Sequence, residues 1–120
     1  MIKEFYKIEQ IEKYYDKNTN TYVFMENDED FDVYLYFNLC VDANIDAGHI
    51  NARNIDASVI TARNIKAQDI KAYSIYAENI TYYAMCFAYN NIKCKSIKGM
   101  RYKSKRFVLD GKIEIVKWLI

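Results

Sequence analysis

The middle of the chain repeats its apolar positions with a strict period of five residues. From Asn44 to Ile80 an isoleucine returns at every fifth position, and an alanine follows two positions after each of the first seven: Ile45, Ala47, Ile50, Ala52, Ile55, Ala57, Ile60, Ala62, Ile65, Ala67, Ile70, Ala72, Ile75, Ala77 and Ile80. Five is neither the 3.6-residue period of a helix nor the two-residue period of a flat strand. Residues two apart point the same way from an extended segment. The pattern therefore predicts short extended pieces joined at regular corners, with Ile and Ala inside.

Such five-residue units cannot bury their apolar face alone, so they must stack on one another. Stacked units pair their backbones about 4.8 Å apart. We therefore predict an all-β solenoid, a parallel β-helix. The alternative is an amphipathic helix with chance spacing, and eight isoleucines in strict register argue against it.

The five-residue period, with one large aliphatic and one small residue inside, resembles the pentapeptide-repeat proteins. The resemblance covers Cys40 to about Tyr102. It implies a right-handed, four-sided β-helix with four repeats to a coil and about three coils. The order departs from the family's usual one, because the units read Ile-x-Ala-x-Asn, as in Ile50–Asn54, with the small residue after the large one. Four repeats to a coil would stack residues twenty apart: Asp46 near Lys66, Asn51 near Lys71 and Arg53 near Tyr73.

The chain before the repeats divides into a predicted helix and two predicted strands. Met1–Lys17 carries apolar residues at three- and four-residue steps and predicts a helix. We interpret it as a cap on the open end of the solenoid, with a partner-binding helix as the alternative. Strands are predicted at Thr21–Met25 and, buried, at Val33–Val41.

After Ile80 the repeat shifts by two positions. The predicted inner residues are then Tyr82, Ala84, Phe87, Tyr89, Ile92, Cys94, Ile97, Gly99 and Tyr102. The large rings of Phe87 and Tyr89 predict a wider or plugged interior. Asp110-Gly111 lies between two apolar runs and predicts a hairpin. The apolar tail, with Trp118, Leu119 and Ile120, is expected to cap the last coil or to form a dimer contact.

By length the chain is expected to be one domain, with an N-terminal part at 1–39, repeats at 40–102 and a C-terminal part at 103–120. We found no signal peptide or membrane-spanning run, and three cysteines without export features indicate a reducing cytoplasm. His49 is the only histidine, and the cysteines (Cys40, Cys86, Cys94) lack metal-type spacing. We therefore expect no enzyme activity, no metal and no cofactor.

Charge is distributed unevenly along the chain. Residues 1–42 carry a formal charge of −6, residues 43–92 of zero and residues 93–120 of +7. The acidic loop holds Glu26, Asp28, Glu29, Asp30 and Asp32. The basic segment, from Lys93 to Arg106, holds seven bases, no acid and a tyrosine: Lys93, Lys95, Lys98, Arg101, Tyr102, Lys103, Lys105 and Arg106.

These charges leave three hypotheses for a non-enzymatic interaction protein. The resemblance implies the first, an inhibitor of a nucleic-acid enzyme, encoded by a phage or mobile element, whose acidic end mimics nucleic acid. In the second, the basic segment binds nucleic acid or a ribonucleoprotein. In the third, opposite ends stack head to tail into a filament. A solvated charged face without a partner is the plain alternative.

Overall fold

Strands make up nearly all of the regular structure in a computed structural model of the chain, which describes residues 2–116. One 3₁₀ helix, at Ile8–Tyr14, lies among them. The strands are β1 (Ile2–Phe5), β2 (Tyr15–Asp16), β3 (Thr21–Val23), β4 (Met25–Glu26), β5 (Glu29–Asp30), β6 (Asp32–Leu35), β7 (Leu39–Cys40), β8 (Asn44–Asn51), β9 (Asn54–Gly99), β10 (Lys105–Val108) and β11 (Lys112–Ile115).

Most strands pair in parallel. Strand β8 pairs in parallel with β3, β6 and β9, and β9 also pairs in parallel with β7, β10 and β11. The β1–β6 pair is parallel too. Within residues 2–116 only the short β2–β3 and β4–β5 pairs are antiparallel. The predicted all-β, parallel fold is confirmed at this level.

Strand β9 changes direction along its length. It runs for 46 residues, and a straight strand of that length would reach about 150 Å at ~3.3 Å per residue. The whole molecule measures only 36 × 28 × 25 Å. The extended chain must therefore turn back on itself several times.

The isoleucines and alanines of the repeat face the core, as predicted. All eight isoleucines are buried, and so are the alanines apart from Ala52, which is partly buried. Across the β8–β9 pair, residues of the same type lie opposite each other, with Ile45 opposite Ile60 and Ala47 opposite Ala62. Each fully buried isoleucine stabilises the fold by about 1.5–3 kcal/mol relative to exposure.

The stacking offset is fifteen residues where the β8 repeats meet those of β9, and the predicted offset of twenty is wrong there. Asp46 pairs with Thr61 rather than Lys66, and Asn51 pairs with Lys66 rather than Lys71. Near Arg53, whose predicted neighbour was Tyr73, the backbone N–H of Gln68 donates to the Arg53 carbonyl. Residues that lie opposite each other on β8 and β9 are therefore three five-residue units apart, not four. An offset of twenty does occur between β9 and β10, beyond the turn that follows β9.

The inner positions after Ile80 are partly as predicted. Tyr82, Ile92 and Cys94 are buried. Tyr89 and Tyr102 are exposed, so their inward assignment is wrong. The small side chains of Cys86 and Ala88 are fully buried instead, and alternation along the strand turns Phe87 and Tyr89 outward. The interior is thus not widened by these two rings.

The predicted N-terminal helix is shorter than expected. A strand precedes the 3₁₀ helix and another follows it. Its Ile11 is fully buried, and the Tyr14 ring lies 5.6 Å from Phe24 and 5.3 Å from Phe31 between centroids. The helix therefore packs against the apolar core, and its role as a cap stays a prediction. No helix within residues 2–116 is long and apolar enough to cross a bilayer.

The hairpin predicted at Asp110-Gly111 is wrong. Strands β10 and β11 do not pair with each other, and both add to β9 in parallel. A Cβ on Gly111 would collide with the backbone carbonyl oxygen of Asn90. The glycine is therefore needed for close approach to the neighbouring strand, not for a hairpin turn. The predicted tail contact of Trp118–Ile120 lies outside the described residues.

Candidate functional site

The basic segment forms the last part of β9, the following turn and the start of β10. Lys93, Lys95 and Lys98 belong to β9, and Lys105 and Arg106 begin β10. Their side chains are exposed, apart from Lys93, which is partly buried. Lys93 lies between the buried residues Ile92 and Cys94, so alternation directs it outward, as predicted.

The turn between β9 and β10 displays the remaining members of the basic segment. Lys103 has φ 62°, in the left-handed region, and the Ser104 N–H donates to the Arg101 carbonyl at 3.0 Å. Tyr102 is 86% exposed, with the Lys103 ammonium 5.6 Å from its ring centroid. This turn therefore presents three adjacent residues, Arg101 to Lys103, to solvent.

Arg106 differs from the other bases because its guanidinium is held by the fold. Its Nη1 donates to the Ile97 carbonyl at 3.0 Å. Burial raises the pKa of Cys86 to about 12 and also raises the pKa of Cys94, while the Arg106 charge opposes both shifts. The two thiols therefore stay neutral, which matches the prediction that Cys94 belongs to the core.

The bases of the basic segment have no ion-pair partner in the part of the chain that the structure describes. Among residues 2–116, ion pairs involve Lys3, Lys13, His49 and Arg63, and none involves a base of the basic segment. Glu114 lies opposite Lys93 in the β9–β11 register but forms no ion pair with it. A dense positive surface without partners attracts polyanions.

The acidic loop is largely engaged by the fold. Glu26 forms an ion pair with Lys3 and accepts a hydrogen bond from the Tyr14 hydroxyl at 2.7 Å. Asp30 accepts from Arg63 Nη2 at 3.1 Å, and Asp32 lies 3.9 Å from His49 Nε2. The other two acids, Asp28 and Glu29, are exposed. These contacts fasten the β4–β5 pair and the start of β6 to neighbouring strands.

Replacing Glu26 by Gln should make the protein less stable at neutral pH. The hydrogen bonds from Lys3 and then Tyr14 lower the pKa of Glu26 below its ordinary value. Its contribution to the free energy of unfolding is therefore present above the ordinary glutamate range and is lost as pH falls through the lowered pKa. Melting temperatures of wild type and Glu26→Gln should differ at pH 7 and should converge at acid pH, once the pH has fallen through the lowered pKa of Glu26. Glu29→Gln, at an exposed site, is the control, and a difference that persists unchanged at acid pH would contradict the assignment.

A ladder of polar side chains, which we did not predict, crosses the parallel strands. Ser96 Oγ donates to Asn79 Oδ1 at 2.6 Å, and Asn79 Nδ2 donates to Asn64 Oδ1 at 2.8 Å. Asn64 Nδ2 in turn lies within hydrogen-bond distance of His49 Nδ1. The other ring nitrogen of His49, Nε2, lies 3.9 Å from Asp32 Oδ1. The Asn that precedes many of the repeat isoleucines was the sequence signal for this ladder.

A second unpredicted feature is an outward row of aromatic rings, the aromatic strip, formed by Phe87, Tyr89 and Phe107. Phe87 and Phe107 are opposite each other in the β9–β10 register, with ring centroids 4.6 Å apart. The Phe87 and Tyr89 centroids are 5.0 Å apart. Sequence reasoning had placed Phe87 and Tyr89 inside, and the small residues Cys86 and Ala88 were the signal that they face out.

The described residues contain no group of three or more His, Cys, Asp or Glu side chains placed to hold a metal ion. The candidate site consists of the side chains of the basic segment and the rings of the aromatic strip. No protein-family model, no curated protein and no solved structure compared with this chain matches it, so the likeness to pentapeptide-repeat proteins stays a prediction.

Proposed function

We propose that the chain is a non-enzymatic binding protein, built as a β-helix, that binds nucleic acid through its basic segment. The observation that carries the proposal is the density of exposed bases from Lys93 to Arg106, which lack carboxylate partners within residues 2–116.

The β-helix part of the proposal is supported by the registers and by burial. Paired residues such as Ile50 and Ile65 are fifteen apart and both buried, which is the spacing expected of a β-helix with three five-residue units to a turn. The length of β9 exceeds every dimension of the molecule, which agrees with a chain that winds. The right-handed sense is implied only by the resemblance and stays a prediction.

Nucleic acid is supported by the combination of bases and exposed aromatic rings. Packing several like charges on one surface costs self-repulsion that folding alone does not require. Phosphates relieve that repulsion, and the release of their counterions drives binding. An aromatic ring such as Tyr102, which is exposed between Arg101 and Lys103, adds a surface on which nucleobases can stack. A partner that is an acidic protein would have no use for such a stacking surface.

The acidic loop supports the inhibitor hypothesis less well. Three of its five carboxylates already contact Lys3, His49 or Arg63. A mimic of nucleic acid needs free negative charge, and of the five acids of this loop only Asp28 and Glu29 have no ion pair in the described part of the chain. The third hypothesis, a head-to-tail filament, is tested by gel filtration at low and high salt, which would detect its assembly.

The triple variant Lys95→Glu, Lys98→Glu and Arg101→Glu should abolish binding of a fluorescently labelled oligonucleotide, measured by anisotropy. Wild type should bind at low salt and weaken steeply as salt rises, because each phosphate contact adds to the salt dependence. The melting temperature should stay close to wild type, since the three side chains are exposed.

The control reverses three exposed bases elsewhere: Lys7→Glu, Lys17→Glu and Lys71→Glu. It changes net charge equally but should keep most of the affinity and the wild-type salt slope. If both triple variants lose affinity equally, net charge alone drives binding and the basic segment is not the site. If the Lys95→Glu, Lys98→Glu, Arg101→Glu variant binds as tightly as wild type, nucleic acid binds to a surface other than the basic segment.

A further inference from the structure

We infer that the aromatic strip stacks unpaired bases, so that the ligand of the basic segment is single-stranded rather than duplex nucleic acid. The inference rests on the proposed function, because it assigns the strip to the same nucleic-acid ligand. Its evidence is the outward geometry of Phe87, Tyr89 and Phe107, which the charge argument does not use.

The rings of the aromatic strip form one surface across two strands. Tyr89 is 43% exposed and Phe107 is 48% exposed, while the partly buried Phe87 lies between them. Met85 and Leu109, both exposed, extend this surface at either side. Folding does not require aromatic side chains at outward positions, and each of them exposes apolar area to water. Such an arrangement is expected where a flat, apolar ligand packs against the sheet.

One basic residue of the basic segment, Lys105, borders the aromatic strip on the same strand face. Lys105 lies two residues before Phe107 on β10, so both side chains point the same way, about 7 Å apart along the strand. In the register Lys105 lies opposite Met85. A nucleotide base stacked on Phe107 would therefore have an ammonium within reach of its phosphate.

This arrangement favours unpaired bases over a duplex. A duplex covers the faces of its bases, so it would contact the lysines and arginines but not the rings. Unpaired bases offer a π face, and stacking on aromatic side chains tolerates every base. A second copy of this chain is a poorer occupant, because a symmetric contact through the strip would bring together two C-terminal segments of formal charge +7.

The experiment compares wild type with a double variant of the full chain, Tyr89→Ala together with Phe107→Ala. Anisotropy is measured with a labelled oligothymidine and with a labelled duplex of equal length. The double variant should bind the oligothymidine on the order of 10- to 100-fold more weakly, as expected for lost base stacking. Its salt slope and its duplex affinity should stay as in wild type.

Two further variants make the result specific. Tyr89→Phe with Phe107→Tyr keeps both rings and should keep the single-strand affinity. Tyr73→Ala with Tyr76→Ala removes two exposed rings outside the aromatic strip and should leave the affinity unchanged. Gel filtration of every variant at the assay concentration reports self-association.

The outcomes separate the inference from the proposed function. If wild type binds neither probe, both are overturned. If wild type binds both probes equally and the Tyr89→Ala, Phe107→Ala variant loses no affinity, the inference fails while nucleic-acid binding stands. If that variant turns a dimeric wild type into a monomer without weakening binding, the strip is a contact between copies and the inference is wrong.

Discussion

Ile65→Asp should leave the protein unfolded at room temperature. The Ile65 side chain is 1% exposed and pairs with the equally buried Ile50 on the neighbouring strand. An aspartate there would place a carboxylate among isoleucines with no base to pair with it. Burying such a charge costs several kcal/mol, which is comparable with the whole free energy of unfolding of about 5–15 kcal/mol for a typical domain.

The adjacent residue supplies the control for this experiment. Lys66 is exposed on the opposite face of the same strand, so Lys66→Asp introduces the same side chain one position away. Circular dichroism and urea unfolding should show a folded Lys66→Asp and an unfolded Ile65→Asp. Melting of Ile65→Asp within a few degrees of wild type would mean that the isoleucines do not face the core.

Deleting residues 1–17 should convert the protein into an aggregating species. The 3₁₀ helix covers the core with Ile11 and Tyr14, and β1 pairs with one side of β6. Their removal would expose Phe24, Phe31 and the β6 edge, and an uncovered apolar strand edge pairs readily with other chains. Light scattering and binding of a hydrophobic dye should both increase.

A point variant separates the loss of the helix contact from the loss of β1. Ile11→Asp keeps the chain length but puts a charge at a fully buried position of the helix. It should also expose the core, whereas Glu12→Ala on the exposed side should not. A truncated protein that stays monomeric and melts like wild type would favour the partner-binding interpretation of this segment.

The repeat revealed which residues face the core, because a strict period of five leaves few ways to bury Ile and Ala together. It did not reveal how many units separate stacked strands. That number depends on the geometry of the corners, which the spacing of Ile and Ala does not specify. The resemblance supplied four units, and the β8–β9 register gives three.

The errors near the C-terminus have a different cause. Asp110-Gly111 has the composition of a hairpin turn, but the neighbouring strand offers parallel pairing that outweighs this local preference. Phe87 and Tyr89 were predicted to face inward because the repeat, shifted by two positions after Ile80, was continued through them. The smaller side chains of Cys86 and Ala88 are buried instead. Because side chains alternate between the two faces of a strand, burying these two residues turns Phe87 and Tyr89 outward. The basic segment was predictable because charge density is a property of the sequence, whereas the aromatic strip needed the register.

The fifteen-residue offset between β8 and β9 limits how the length of this chain can change in evolution. Removing Asp46–Ile60 would bring Thr61 to the place of Asp46 and Ile65 to the place of Ile50, with every inward side chain still inward. Removing only five residues would still place isoleucines opposite isoleucines on the neighbouring strand. It would, however, shift by one unit each outward column, meaning each row of outward side chains that crosses the strands, including the one that joins His49 to Asn64. Insertions and deletions in relatives of this chain should therefore come in multiples of fifteen wherever the outward columns are under selection.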